Sequence, residues 1–458
     1  VVAVALVLLG LGAGSAQAES LTVNSRKDAG DLKPGNGRCD AKKKKRLQCT
    51  VRAAIEESNA LRSKDKIKFD VRGPAAVKTI APASELPEIT DPVKINAYTQ
   101  PGAKANTAPS GTNAVLRVEL DGADLLAGGS GLEISAGDSV VRGLVINDFF
   151  TGLELRAGSA NRVLGNFIGT DPSGTVGEGN NTGVSISGSS DNVIGGPSLA
   201  ARNIVSASGT TGISIFGATG APANSNRILG NLIGTSASGA GDLGTESSSG
   251  NGVRINGQDG ATLNNQIGGT EPGAGNVIAF SGSFGVNVLK GTGNSVLSNS
   301  IFGSGLMGIN IDGEGVAPND DDDVDTGANN RQNYPVITDA DSGFGTTTID
   351  GTLSSAPTTT YTIQFFYNPA SDEANHAIDL EEGRRFLGST STTTNASGDA
   401  TFTGAFSSSG IGGGGGLDGG YATATATDPE GNTSEFSDGR IIDPPVIGGG
   451  RAAAGSMR

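Results

Sequence analysis

The 458 residues include 74 glycines, no tryptophan and only 17% charged residues, with a formal net charge of −15. A chain of this length has room for two or three domains. The glycine share and sparse charge exclude a helix-rich protein, and the acidic balance excludes nucleic acid as a partner.

The first eighteen residues, "VVAVALVLLGLGAGSAQA", are apolar and end in small residues with Ala16-Gln17-Ala18 as an A-x-A cleavage signal. Residues 1–18 therefore read as an export leader that begins inside its apolar stretch. No later apolar run approaches the roughly 20 residues of a membrane span, so the mature chain is expected to be secreted or held at the cell surface. The only two cysteines, Cys39 and Cys49, are close in sequence and are expected to be joined in an oxidising compartment. Between them runs "KKKKR", Lys42 to Arg46. A solvated loop is the first reading, because five like charges repel, and a patch for an acidic polymer is the alternative.

In "CTVRAAIEESNA", which starts at Cys49, residues Val51, Ala54, Ile55, Ser58 and Leu61 fall on one helical stripe. A short helix here would cover the open end of a stack of coils. Downstream of it the chain repeats itself. Glycine followed by apolar, polar and apolar residues recurs as Gly131-Leu-Glu-Ile, Gly152-Leu-Glu-Leu, Gly183-Val-Ser-Ile, Gly212-Ile-Ser-Ile, Gly252-Val-Arg-Ile, Gly285-Val-Asn-Val and Gly308-Ile-Asn-Ile. Alternation with period two means strand, and units that each bury two side chains make a core only when stacked.

Asparagines repeat with the strands. Asn161 and Asn166, Asn226 and Asn231, and Asn294 and Asn299 keep one five-residue offset. "NRVLGNFIGTDPSG" from Asn161 returns almost unchanged as "NRILGNLIGTSASG" from Asn226. Glycine and asparagine tolerate sharp bends, and stacked asparagines can hydrogen-bond as ladders from coil to coil.

The segment at Cys49 resembles the Cys-Ser-Leu-Arg-Glu-Ala motif of the CSLREA domain, found at the front of exported bacterial β-helix proteins. Cys49, Arg52 and Ala54 match, Thr50 and Val51 are conservative changes, and Ala53 stands where the family has glutamate. "DKIKFD" at Asp65, "LPEITDPVKI" at Leu86, "TQPGA" at Thr99 and "RGLVIN" at Arg142 are further family-like phrases. The resemblance implies an all-β chain with a right-handed parallel β-helix of the pectate-lyase-like kind. Residues 19–62 would form a cap with a short helix, and residues 63–330 the solenoid. It bears on fold and not on chemistry.

After about residue 330 the repeat gives way to Thr-rich alternation such as "TYTIQFFYN" and "YATATATDPEGNTSEFS". Residues 331–442 read as an immunoglobulin-like β-sandwich, with the glycine run Gly412–Gly416 as a loop and residues 443–458 as a disordered tail.

Two places could carry chemistry. In "PNDDDDVDTGANN", Asp321, Asp323, Asp325 and Asn329 are spaced to wrap a hard cation such as Ca²⁺, with a solvated acidic linker as the alternative. The middle residues of the seven strand motifs form one outward column: Glu133, Glu154, Ser185, Ser214, Arg254, Asn287 and Asn310. On adjacent coils, Glu133 and Glu154 would approach the carboxylate spacing of a retaining glycosidase, and Arg254 could serve a lyase as base or charge stabiliser. The one histidine, His376, reads as an exposed loop residue of the sandwich. Two functions are consistent with these residues. The favoured one is a secreted or surface β-helix for structure, adhesion or contact with extracellular polysaccharide, without defined catalysis. The alternative is a polysaccharide lyase or glycoside hydrolase.

Overall fold

The computed structural model describes residues 18–42, 47–125, 128–245, 247–258, 260–313, 315–343, 345–369, 382–407 and 417–444. The leader up to Gln17, most of the basic run, His376, the glycine run and the tail from 445 lie outside the described residues.

The chain is mostly β. Three wholly parallel sheets of nine, eight and seven strands form a β-helix, and two antiparallel sheets come after it. The nine-stranded sheet starts at Ser20–Val23, which pairs with Asp65–Phe69, so the solenoid begins before the helix. That helix, Val51–Leu61 (α1), is capped by Thr50, whose side chain accepts from the Ala53 backbone N–H. It buries Val51, Ala53, Ala54, Ile55, Glu57 and Ser58. Arg52 makes a bidentate pair with Asp28 at 2.8 and 2.9 Å and also donates to the carbonyls of Ser84 and Glu85. The Arg52 side chain therefore fastens helix, N-terminal strand region and first turn together. Cys39 and Cys49 form a disulfide just before the helix.

The strand motifs explain the seven-stranded sheet. Leu132 and Ile134, Leu153 and Leu155, Val184 and Ile186, Ile213 and Ile215, Val253 and Ile255, Val286 and Val288, and Ile309 and Ile311 are all buried in one continuous core. The leading glycine has its own reason. A Cβ on Gly131 would lie 2.6 Å from the carbonyl oxygen of Gly152, and the same contact of 2.6–2.7 Å recurs from Gly152 to Gly183, Gly183 to Gly212, Gly212 to Gly252, Gly252 to Gly285 and Gly285 to Gly308. Each glycine is there because the next coil's backbone occupies the space a side chain would need.

The asparagines form two buried ladders. In one, the Nδ2 of Asn192 donates to Asn226 Oδ1 at 2.8 Å, Asn226 to Asn265 at 3.0 Å, and Asn265 to Asn294 at 2.9 Å. Backbone N–H groups extend it at the ends, from Asn161 to Asn192 Oδ1 and from Asn294 to Asn329 Oδ1. In the other, the amides of Asn166, Asn203, Asn231, Asn276 and Asn299 are linked in turn at 2.8–3.2 Å. Before the rungs Asn166 and Asn231 the bend is made by Gly165 and Gly230, and in the first ladder it falls on mixed residue types. Ala160, Asp191, Ser225 and Asn264, each just before a rung, take the left-handed conformation. The rung residues behind them keep negative φ, which leaves their amides free to face the ladder.

The second unit holds a three-stranded sheet (Val336–Ser342, Thr346–Ser354, Asp399–Ser407) and a four-stranded one (Thr360–Asn368, Arg385–Thr393, Tyr421–Thr427, Arg440–Ile441). They share a core that includes Ile349, Leu353, Ile363, Phe365 and Phe402. This unit closes the solenoid. Phe366 and Phe436, 5.1 Å apart, belong to the solenoid core. The buried carboxylate of Glu435 accepts from the backbone N–H groups of Ile311 and Ala317, both at 2.8 Å. Glu382 does the same for Gly303 and Ser304. Strand-edge donors that have no further coil to pair with thus find acceptors in the sandwich.

Candidate functional site

The outward column is one register-matched row. Glu133 pairs with Glu154, Glu154 with Ser185, Ser185 with Ser214, Ser214 with Arg254, Arg254 with Asn287, and Asn287 with Asn310. Adjacent coils are separated by about 4.8 Å. The row is open only in part. Asn287 and Asn310 are buried, and the amide of Asn310 is covered by the carbonyl of Gly315. The accessible face therefore runs from Glu133 to Arg254.

At its acidic end, Glu133 and Glu154 share a cation that lies just past the four-residue motif. Arg156, two residues beyond Glu154, lies 3.4 Å from Glu133 and 2.9 Å from Glu154. Ser130 Oγ donates to the other Glu154 oxygen at 3.2 Å. Burial pushes the Glu133 carboxyl up; Arg156 opposes this, while Glu154, Glu88 and Glu85 reinforce it. A second outward row continues from Arg156 through Ser187 and Phe216 to Asn256. Phe216 is 43% exposed and gives the face one aromatic surface. Arg254 has no ion pair among the described residues.

At the joint between solenoid and sandwich, the acidic run separates. Asp320, Asp323 and Asp325 bring carboxylate oxygens within 4.8 Å of one another, an arrangement that could hold a metal such as Ca²⁺. Asp321 is exposed and outside this group, and Asp320 stands in its place. Asn329 is drawn away altogether. Its Oδ1 accepts from Asn294 and its Nδ2 donates to the carbonyls of Asn294 and Thr433, so it serves as the last ladder rung and not as a ligand. Arg331 pairs with Asp312 at 2.6 Å and lies 3.6 Å from Asp325. A further trio, Asp339, Asp341 and Asp443, clusters on the sandwich.

Asp323 is the most perturbed of these groups. Burial raises it to about 6, against hydrogen bonds from Ser355 and Asn333 and with help from Asp320 and Asp325. The folded chain thus holds this proton more tightly than the unfolded chain does. The stability it contributes is complete below about pH 4 and is lost as pH rises through the folded value. Without divalent cations, the melting temperature is expected to fall between about pH 4 and pH 6, and Asp323→Asn should flatten that fall. An unchanged slope in the variant, measured by thermal melts across this range, would remove Asp323 as its source.

No protein-family model matches the chain, and no curated protein matches it closely. Among solved structures, the chain is similar to the full-length tailspike protein 2 of an Escherichia coli O157:H7 bacteriophage, with a TM-score of 0.21 and 12% identity over 82% of this chain and 59% of that one. It is also similar to the enzymatically active domain of bacteriophage CBA120 tailspike protein 2, with a TM-score of 0.21 and 12% identity over 93% of this chain and 72% of that one. A third is the catalytic domain of a GH87 alpha-1,3-glucanase in complex with nigerose, with a TM-score of 0.20 and 13% identity over 65% and 56% of the two chains. This chain spans less than two thirds of the full-length tailspike and of the glucanase domain. The β-helix is read from this chain's own three parallel sheets, and neither fold nor activity is carried over from these structures.

Proposed function

We propose that the chain is an exported β-helix module, with a CSLREA-like cap and an immunoglobulin-like closing domain, whose seven-stranded face contacts extracellular glycan without cleaving it. The observation that carries this reading is the open row from Glu133 to Arg254, flanked by Phe216. It offers charged and small polar groups at coil spacing along a flat surface, with one ring on which a sugar can stack. Arg156 argues against catalysis, because one guanidinium already binds both candidate carboxylates. The raised carboxyl of Glu133 is the single observation that favours a hydrolase, since a general acid needs such a shift.

The test is to incubate the protein with acidic and neutral polysaccharides and measure both retention and product release. Retention without products is expected, with Arg254→Ser weakening retention of acidic polymers by about fivefold, roughly 1 kcal/mol. Glu133→Gln should leave any background release unchanged. A loss of cleavage by more than about a hundredfold in that variant would establish the hydrolase instead.

The joint is proposed as a calcium site built on Asp320, Asp323 and Asp325. Calcium at about a hundredfold over its dissociation constant should add roughly 2.7 kcal/mol of stability at neutral pH. Asp323→Ala plus Asp325→Ala should lose most of that gain. Equal gains in wild type and variant would leave the joint a plain acidic linker.

A further inference from the structure

The outer face of the nine-stranded sheet carries charge of one sign. Its strands pair in register, so that outward side chains stand level from coil to coil. Lys66 is level with Lys94, Lys94 with Val140, Val140 with Arg162, Arg162 with Val193, and Val193 with Arg227. Two residues along the strands, Lys68 and Arg142 stand in a second outward row, with Asn96 between them. No outward position of the nine strands holds Asp or Glu, although the chain as a whole has a net charge of −15.

These cations are not neutralised. Lys66, Arg162 and Arg227 are exposed, and Lys68, Lys94 and Arg142 are half-buried. Among the described residues, none of them enters an ion pair. Arg227 donates from Nε to Gln266 Oε1 at 3.1 Å, and the Arg142 guanidinium lies 5.1 Å over the Tyr98 ring. Both contacts hold a guanidinium in place and leave its charge intact. The flanking acids Asp138 and Asp191 sit at the bends before their strands, and Asp138 is 3.8 Å from Lys64. Lys66 and Lys94 face each other directly on neighbouring strands, a placement that costs stability when nothing neutralises it. Along the first row, Lys94, Arg162 and Arg227 are each two strands apart, a step of about 10 Å.

We propose that this face binds an acidic polysaccharide that runs across the strands and carries a carboxylate or sulfate on every second sugar. The two-sugar repeat of such an extended chain is close in length to the two-strand step, so successive anions meet Lys94, Arg162 and Arg227 in turn. Arginine presents a planar fork that fits either group. Nucleic acid fits less well. No outward residue of these strands is aromatic, so bases would find no stacking platform. The cations are also far sparser than the charges of a duplex, at roughly one per 1.7 Å of axis. The face lies on a different sheet from the row Glu133 to Arg254, and of the reading proposed above it shares only the extracellular setting.

Retention of the full chain on immobilised hyaluronan, whose carboxylate recurs on every second sugar, tests the proposal. Neutral dextran and a single-stranded oligonucleotide are the comparison probes. Arg162→Ser plus Arg227→Ser is expected to weaken binding to hyaluronan by about tenfold. Added salt should weaken wild-type binding by screening. The loss should be the same whether residue 254 is the native arginine or serine, which separates this face from the seven-stranded one. If the arginine pair does not fold, Lys66→Ser plus Lys94→Ser decides the matter with the same expected loss. No retention of the wild type, undiminished retention in the variant, or equal retention on dextran overturns the proposal. Tighter binding to the oligonucleotide than to hyaluronan would make this a nucleic-acid face. A salt-sensitive wild-type dimer that the arginine pair dissolves would make the occupant a second copy. Either result also overturns it.

Discussion

Asn231→Ala is expected to lower the unfolding free energy by about 3–5 kcal/mol, several times the cost of an average surface substitution. Asn231 is 1% exposed and stands in the middle of its ladder. Its oxygen accepts from Asn203, and its nitrogen donates to Asn276 and to the carbonyl of Ile194. Truncation strips a partner from each of these three groups at once, and none of them can turn to water. Each buried group that loses a partner costs about 1–3 kcal/mol, while the small cavity adds a little more. Asn256→Ala on the open face, as a control, should cost less than about 0.5 kcal/mol. Urea unfolding of the two variants gives the comparison. If Asn231→Ala cost under about 1 kcal/mol, the ladder would be a by-product of stacking and not a source of stability.

Glu435→Ala should loosen the closing domain by about 3–4 kcal/mol, because hydrogen bonds to a charged acceptor contribute roughly 1.5–3 kcal/mol each. The Glu435 carboxylate is 1% exposed and receives two solenoid amides. Glu435→Gln is the sharper probe, since its amide would turn a donor toward one of those N–H groups. The effect should be local. Hydrogen exchange at Ile311 and Ala317 should accelerate, and proteolysis should release the sandwich, while amides near Val141 and Val163 keep their protection. Uniform loss of protection along the whole solenoid would mean that closure and coils unfold as one unit.

The core of the solenoid is legible in the sequence because period-two alternation is a local signal. Val184 and Ile186, or Ile213 and Ile215, point inward wherever the motif occurs, and the polar residue between them points out. The ladders are half legible. Asn161, Asn226 and Asn294 announce themselves through the five-residue offset, but Asn192 and Asn265 have partners eleven residues on, at Asn203 and Asn276. A search for one spacing misses every second rung. Asn329 reads as part of the acidic run because it is adjacent in sequence, whereas the ladder beside it claims its amide. Arg156 lies just past the four-residue motif that marks each strand. Glu435 cannot be found at all from local pattern, since its partner Ile311 is 124 residues away.

The alternation of rung spacing also carries a record of descent. Along the chain, paired rungs are separated by five, eleven, five, eleven and five residues, at Asn161 and Asn166, Asn192 and Asn203, Asn226 and Asn231, Asn265 and Asn276, and Asn294 and Asn299. The near-identical phrases at Asn161 and Asn226 are two rungs apart, and the small bridges after them, Thr170 with Gly177 and Thr235 with Asp242, fall in matching places. The copied unit is therefore a pair of unlike turns, close to 65 residues long as counted from Asn161 to Asn226. A gene that grows by tandem duplication of such pairs keeps both ladders in phase at each junction. Duplication of a single turn would set two like spacings side by side, and none survives between Asn161 and Asn299.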